Sequence, residues 1–90
     1  MIPILIADPD PDFAREIKWA LGESSFIRVC ASAEDLSQTT TLLAEHKPTV
    51  VLLGPGWPEK EIIAFARQTT KRFPSVSLLL LAYKVTSRMV

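Results

Sequence analysis

Thr49-Val50-Val51-Leu52-Leu53-Gly54-Pro55-Gly56-Trp57-Pro58 is the stretch that decides the fold. Thr49 to Leu53 reads as a strand, a largely apolar run that opens on β-branched residues. It stops at a loop of glycine and proline, where regular pairing is excluded. Glu59 and Glu61 follow in a first helical turn, where the dipole favours acids. Ile62, Phe65, Ala66, Thr69 and Phe73 then recur at helical spacing, and Pro74 ends the helix. A buried strand, a tight loop and an amphipathic helix form one link of a parallel-sheet architecture.

The same alternation extends to both sides. Upstream, Ile4-Leu5-Ile6-Ala7 is another short apolar strand, closed by Asp8-Pro9-Asp10-Pro11. Asp10 reads as an N-cap with Pro11 at the first helical position, where its missing N–H costs nothing. Phe13, Ile17, Ala20 and Leu21 supply the apolar face of this helix, and Gly22 reads as its C′ residue. Phe26 to Ala31 is rich in β-favouring residues. Leu36, Thr40, Leu43 and Ala44 outline a second helix, weakened by Thr39-Thr40-Thr41 and stopped by Pro48. Downstream, Val76 to Ala82 makes a fourth strand with four consecutive leucines. The order is β-α-β-α-β-α-β, with no internal repeat or linker. It implies an α/β fold, a parallel sheet with helices on both faces and right-handed crossovers.

The totals narrow the function. Ninety residues form one domain, here residues 1–90, and a domain of this size buries only about 60–65% of its unfolded surface. A hydrophobic share of 48% argues against disorder. Ten basic and ten acidic side chains cancel, and there is neither the basic stripe of a nucleic-acid binder nor the basic amphipathic helix of a membrane-surface protein. Cys30 is the single cysteine, so no internal disulfide and no cysteine-rich zinc site can form. With no basic leader and no apolar run near the roughly 20 residues of a membrane span, a cytoplasmic protein is expected.

The chain resembles the receiver domain of two-component response regulators, a CheY-like, flavodoxin-like fold with strand order 2-1-3-4-5. The segment from Ile4 to Pro11 matches a receiver's first strand and acidic pair. Lys47 to Gly54 matches the strand that ends in the phosphoacceptor aspartate. Leu78-Leu79-Leu80-Leu81-Ala82 matches the fourth strand, which usually ends in a hydroxyl residue. The resemblance implies a three-layer α/β/α domain of order 2-1-3-4, stopping before the fifth strand and last helix. It also implies a degenerate phosphoacceptor pocket. Asp8 keeps the first acid, Pro9 replaces the second, and Asp10 lies to one side. Gly54 stands where the acceptor belongs, and Leu81 where the hydroxyl belongs. Receiver chemistry needs paired carboxylates and an acceptor for Mg²⁺, and a lysine beside the phosphoryl group. Three losses in one pocket argue against phosphoryl acceptance.

A narrower resemblance is to the atypical N-terminal receiver of the CpaE/TadZ pilus-assembly proteins. It is carried by Val50-Val51-Leu52-Leu53-Gly54-Pro55-Gly56 and by Leu79-Leu80-Leu81-Ala82-Tyr83-Lys84-Val85-Thr86. It implies a longer parent chain with a ParA/MinD-like ATPase domain, although no ATPase motif occurs here.

Single residues admit two readings each. Asp8 and Asp10 could hold a cation, but the plainer reading has Asp10 capping the first helix and Asp8 bonding nearby amides. We assign no metal and no cofactor. Gly54-Pro55-Gly56 is a structural turn, since no Gly-Lys-Ser/Thr follows. Trp57 is either a partner contact or a lid over the vacant acceptor pocket. Trp19 lies opposite Ile17 and covers neighbouring structure or meets a partner. Cys30 reads as a small buried hydrophobe and His46 as a cation at a helix end.

In order 2-1-3-4 the leucine-rich fourth strand is an edge, and long apolar edges invite pairing. Trp19, Trp57, Leu78 and Leu80 are therefore the candidate interface, with protein partners and a homodimer through the fourth-strand edge expected. The function expected is a phosphorylation-independent protein-interaction module with no enzymatic activity. The alternatives are a phosphotransfer receiver that uses Asp8 or Asp10, and a small-molecule sensor at the switch point between the first and third strands.

Overall fold

The computed structural model describes residues 1–81. Four strands alternate with three helices: β1 (Ile2–Ala7), α1 (Pro11–Leu21), β2 (Ile27–Ala33), α2 (Leu36–His46), β3 (Val50–Leu53), α3 (Glu59–Arg72) and β4 (Ser77–Leu80). The strands form one parallel sheet in the order β2-β1-β3-β4. This is the flavodoxin-like order expected from the sequence.

Successive side chains of a strand point to opposite faces, so each central strand feeds two cores. Leu5, Ala7, Val51 and Leu53 meet Leu43 of α2 and Ile62 and Phe65 of α3 on one face. Ile4, Ile6 and Leu52 meet Ala14 of α1 on the other, with Phe13, Ile17 and Leu21 packed alongside. Helices therefore cover both faces, which makes the three layers.

A bulge sets the faces of β2. Ile4 pairs with Val29 and Leu5 with Ala31, so Cys30 is the extra residue. Without it, Ala31 and Ala33 would turn away from α2, because a one-residue slip reverses every later side chain. The Cys30 thiol lies 3.3 Å from the Ile4 carbonyl, in range of a weak hydrogen bond, and the side chain is half-buried.

Several local expectations need correction. The buried member of α1 is Ala14, whereas Ala20 is exposed. Phe26 precedes β2 and is 75% exposed, and β2 runs on to Ala33. Gly22 caps α1 in the right-handed region (φ −62°), so its lack of a side chain is not needed for a left-handed turn. The left-handed residue is Lys47 (φ 48°), which ends α2 before Pro48. Ala44 is exposed, and Thr39 and Leu43 are the buried residues of α2. Ala82, the expected last residue of the fourth strand, lies outside the described residues, as do Tyr83 to Thr86 of the narrower resemblance.

Candidate functional site

The strand order reverses direction between β1 and β3, and in this fold the crevice at that switch point is where ligands sit. The ladder extends one residue past both strands. Asp8 donates its N–H to the Ala33 carbonyl (3.0 Å), and Gly54 donates to the Ala7 carbonyl (2.8 Å). Because Ala7 pairs with Leu53, Asp8 and Gly54 emerge side by side.

Asp8 is 1% exposed, and its carboxylate faces into the crevice between the two loops. Oδ1 accepts the Asp10 N–H (2.8 Å), and Oδ2 accepts the Gly56 N–H (3.0 Å). A buried charge is tolerated only when hydrogen-bonded, and these two donors supply that, one from each loop. The carboxylate lies directly over Gly54. A Cβ at that position would come within 2.7 Å of Asp8 Cγ and 2.8 Å of Asp8 Cβ. A Cβ on Gly56 would approach Pro9 Cγ to 2.9 Å and Asp8 Oδ1 to 3.1 Å. Neither glycine has positive φ, so it is close approach, not backbone conformation, that calls for them.

The remaining pocket residues do not converge on a metal or an acceptor. Asp10 is exposed and turns to its own helix, where it accepts the Asp12 N–H (2.9 Å) as the α1 cap. Pro9 is exposed. Leu81 follows β4, donates its N–H to the Leu53 carbonyl (2.9 Å) and packs on the α1 side. Among the described residues, no three His, Cys, Asp or Glu side chains gather as a ligand set. Asp8 and Gly54 are therefore together, with Leu81 beside them in register and Asp10 apart.

Trp57 is turned toward the sheet. Its indole N–H donates to the Ala7 carbonyl (3.1 Å), and the ring is half-buried against the α2–α3 core. It folds back over the end of β1. Leu78 likewise turns inward onto that core. Trp19 is 83% exposed on the outer side of α1, and Leu80 is 57% exposed on β4. Leu79, absent from the sequence candidates, is 52% exposed. A run of four leucines carries no alternation to show which of them lacks cover. The Gly56 contact with Asp8 was also missed, since nothing local marks a glycine that meets a residue 48 positions away. His46 is exposed in the last turn of α2.

A cleft of about 470 Å³ lies at the opposite end of the sheet, between the C-terminal ends of α2 and α3. Leu43, Pro48, Phe73 and Val76 line it, with Lys47 and Arg72. Both cations stand at helix C-termini, where the dipole alone accounts for them.

No protein-family model and no curated protein matches the sequence. Solved structures do match. The isolated receiver domain of RcsB from Salmonella enterica serovar Typhimurium superposes with a TM-score of 0.80 at 21% identity, over 92% of this chain and 62% of that one. RcsB of the same organism bound to the rprA promoter superposes with a TM-score of 0.80 at 21% identity, over 91% and 43%. The receiver domain of the response regulator NarL from Mycobacterium tuberculosis gives a TM-score of 0.80 at 23% identity, over 93% and 68%. The chain thus spans less than two thirds of the RcsB receiver chain. At these identities the likeness is one of fold: the chain has the CheY-like, flavodoxin-like fold of response-regulator receivers. No helix among the described residues is long and apolar enough to cross a membrane.

Proposed function

We propose that this receiver-fold chain is a pseudo-receiver that works by binding protein rather than by accepting a phosphoryl group. Its setting is a cytoplasmic pilus-assembly ATPase of the CpaE/TadZ kind, with the ATPase domain elsewhere in a longer parent chain. The narrower resemblance through Val50 to Gly56 supports that setting.

The observation that carries the binding function is the edge of β4. Ser77 and Leu81 donate their N–H groups to the carbonyls of Thr49, just before β3, and Leu53, at its end. By strand alternation, Leu78 and Leu80 turn theirs outward, where no strand pairs with them among the described residues. Edges are normally defended by charge, proline or a bulge. Ser77-Leu78-Leu79-Leu80 has none of these, and Leu79 and Leu80 add exposed apolar surface on its two faces. A second copy fits such an edge by antiparallel pairing of β4 with β4.

Two features argue against the phosphotransfer reading. Gly54 offers no nucleophile, and Asp8 is buried with both oxygens already engaged. The switch-point sensor reading is disfavoured by the same carboxylate, which takes the space a ligand would need.

Sedimentation equilibrium over a wide concentration range tests the binding function. The chain is expected to dimerise, and Leu80→Lys to abolish the dimer. A monomer at every concentration would overturn the β4 reading. Incubation with a small phosphodonor and Mg²⁺ followed by intact mass tests the other half, with no gain of a phosphoryl group expected.

A further inference from the structure

We infer that the Asp8 carboxylate is a permanent, built-in occupant of the switch-point site, and that it holds the two flanking loops in a single arrangement. The three heavy atoms nearest to a Cβ at Gly54 all belong to Asp8, and none belongs to the backbone. The missing side chain at 54 and the inward side chain at 8 are thus one feature, each depending on the other. Gly56 completes the cradle. Its N–H reaches Asp8 Oδ2, and its bare Cα leaves room for Asp8 Oδ1 and the Pro9 ring.

The carboxylate takes one donor from the loop after β1 and one from the loop after β3, so it crosslinks them. Pro9 and Pro55 fix φ within those loops and limit their freedom to reopen. A site filled by its own chain has no empty state and no occupied state to alternate between. The carboxylate repels external anions, and each of its oxygens already accepts a backbone N–H. This inference is independent of docking through β4: it concerns stability and loop order, and it stands or falls without affecting the oligomeric state.

A double-mutant cycle read by thermal unfolding tests it. Gly54→Ala is expected to lower Tm by roughly 4 °C or more in the natural chain. In an Asp8→Gly background the same change is expected to be neutral or stabilising, because the three residue-8 atoms that meet it, Cβ among them, are all removed. Equal losses in both backgrounds would overturn the inference. Should Asp8→Gly fail to fold, Asp8→Ala, which removes Cγ and the carboxylate oxygens but keeps Cβ, is expected to make the Gly54→Ala loss smaller than in the natural chain. Amide hydrogen exchange on the natural chain supplies a reading without mutation. The Gly56 amide belongs to an exposed loop residue, yet it is expected to exchange as slowly as the strand amides. Exchange at the rate of a free loop amide would equally overturn the inference.

Discussion

Ala7 and Asp8 show how much one dipeptide organises. The Ala7 carbonyl receives both the Gly54 amide and the Trp57 indole, while the Asp8 carboxylate receives Asp10 and Gly56. Removing the indole donor by Trp57→Phe keeps most of the buried ring and is expected to cost about 1 kcal/mol, read by urea unfolding. Gly56→Ala forces a methyl group against Pro9 and Asp8, and is expected to cost roughly 1–3 kcal/mol by the same measurement. Trp19→Gln, at a side chain in solvent, is expected to change stability by no more than about 0.5 kcal/mol. At this scale the Asp10 cap was legible, because Asp-Pro before an apolar periodicity is a local signal. The roles of Gly56 and Trp57 were not, since both depend on residues brought close only by folding.

At the scale of elements, α2 holds together despite three successive threonines. Their hydroxyls bond back to the carbonyls of Asp35, Leu36 and Ser37, and Thr39 is fully buried. Asp35 caps the helix through the Gln38 amide (2.6 Å). Asp35→Ala is expected to lower stability by about 1 kcal/mol in denaturant unfolding. At the other end, Lys47 adopts a left-handed conformation, which is costly for a residue with a side chain. Lys47→Gly is expected to be neutral to stabilising by up to roughly 1 kcal/mol, since the backbone strain it relieves exceeds the entropy glycine adds. The order of elements was legible throughout because helical and strand periodicities are local. Their ends shifted by one or two residues where hydrogen bonding, not hydrophobicity, decides them.

The whole molecule is small, so its cohesion rests on two thin apolar layers more than on ion pairs. Among the described residues, one salt bridge joins Arg15 to Asp12 (2.9 Å), and both side chains are mostly exposed. Such pairs are worth little, and molar salt is expected to leave Tm unchanged or to raise it. If β4 pairs with β4, dimerisation stabilises the fold by mass action. Tm is then expected to rise with protein concentration in the natural chain and to stay flat in Leu80→Lys. Differential scanning calorimetry over a range of concentrations checks this. A flat response in both would argue against the edge as an interface.

The sequence by itself determined the alternation of four strands with three helices among the described residues, the parallel sheet, and a glycine, Gly54, at the end of the third strand. These follow from side-chain period, loop chemistry and residue identity, all written locally in the chain. Tertiary structure alone decided that Asp8 fills the space over Gly54, that Trp57 folds inward while Trp19 stays in solvent, and that Leu79 is exposed beside Leu80. Each of these depends on which distant backbone comes to lie within a few ångströms, and a linear pattern does not carry that distance.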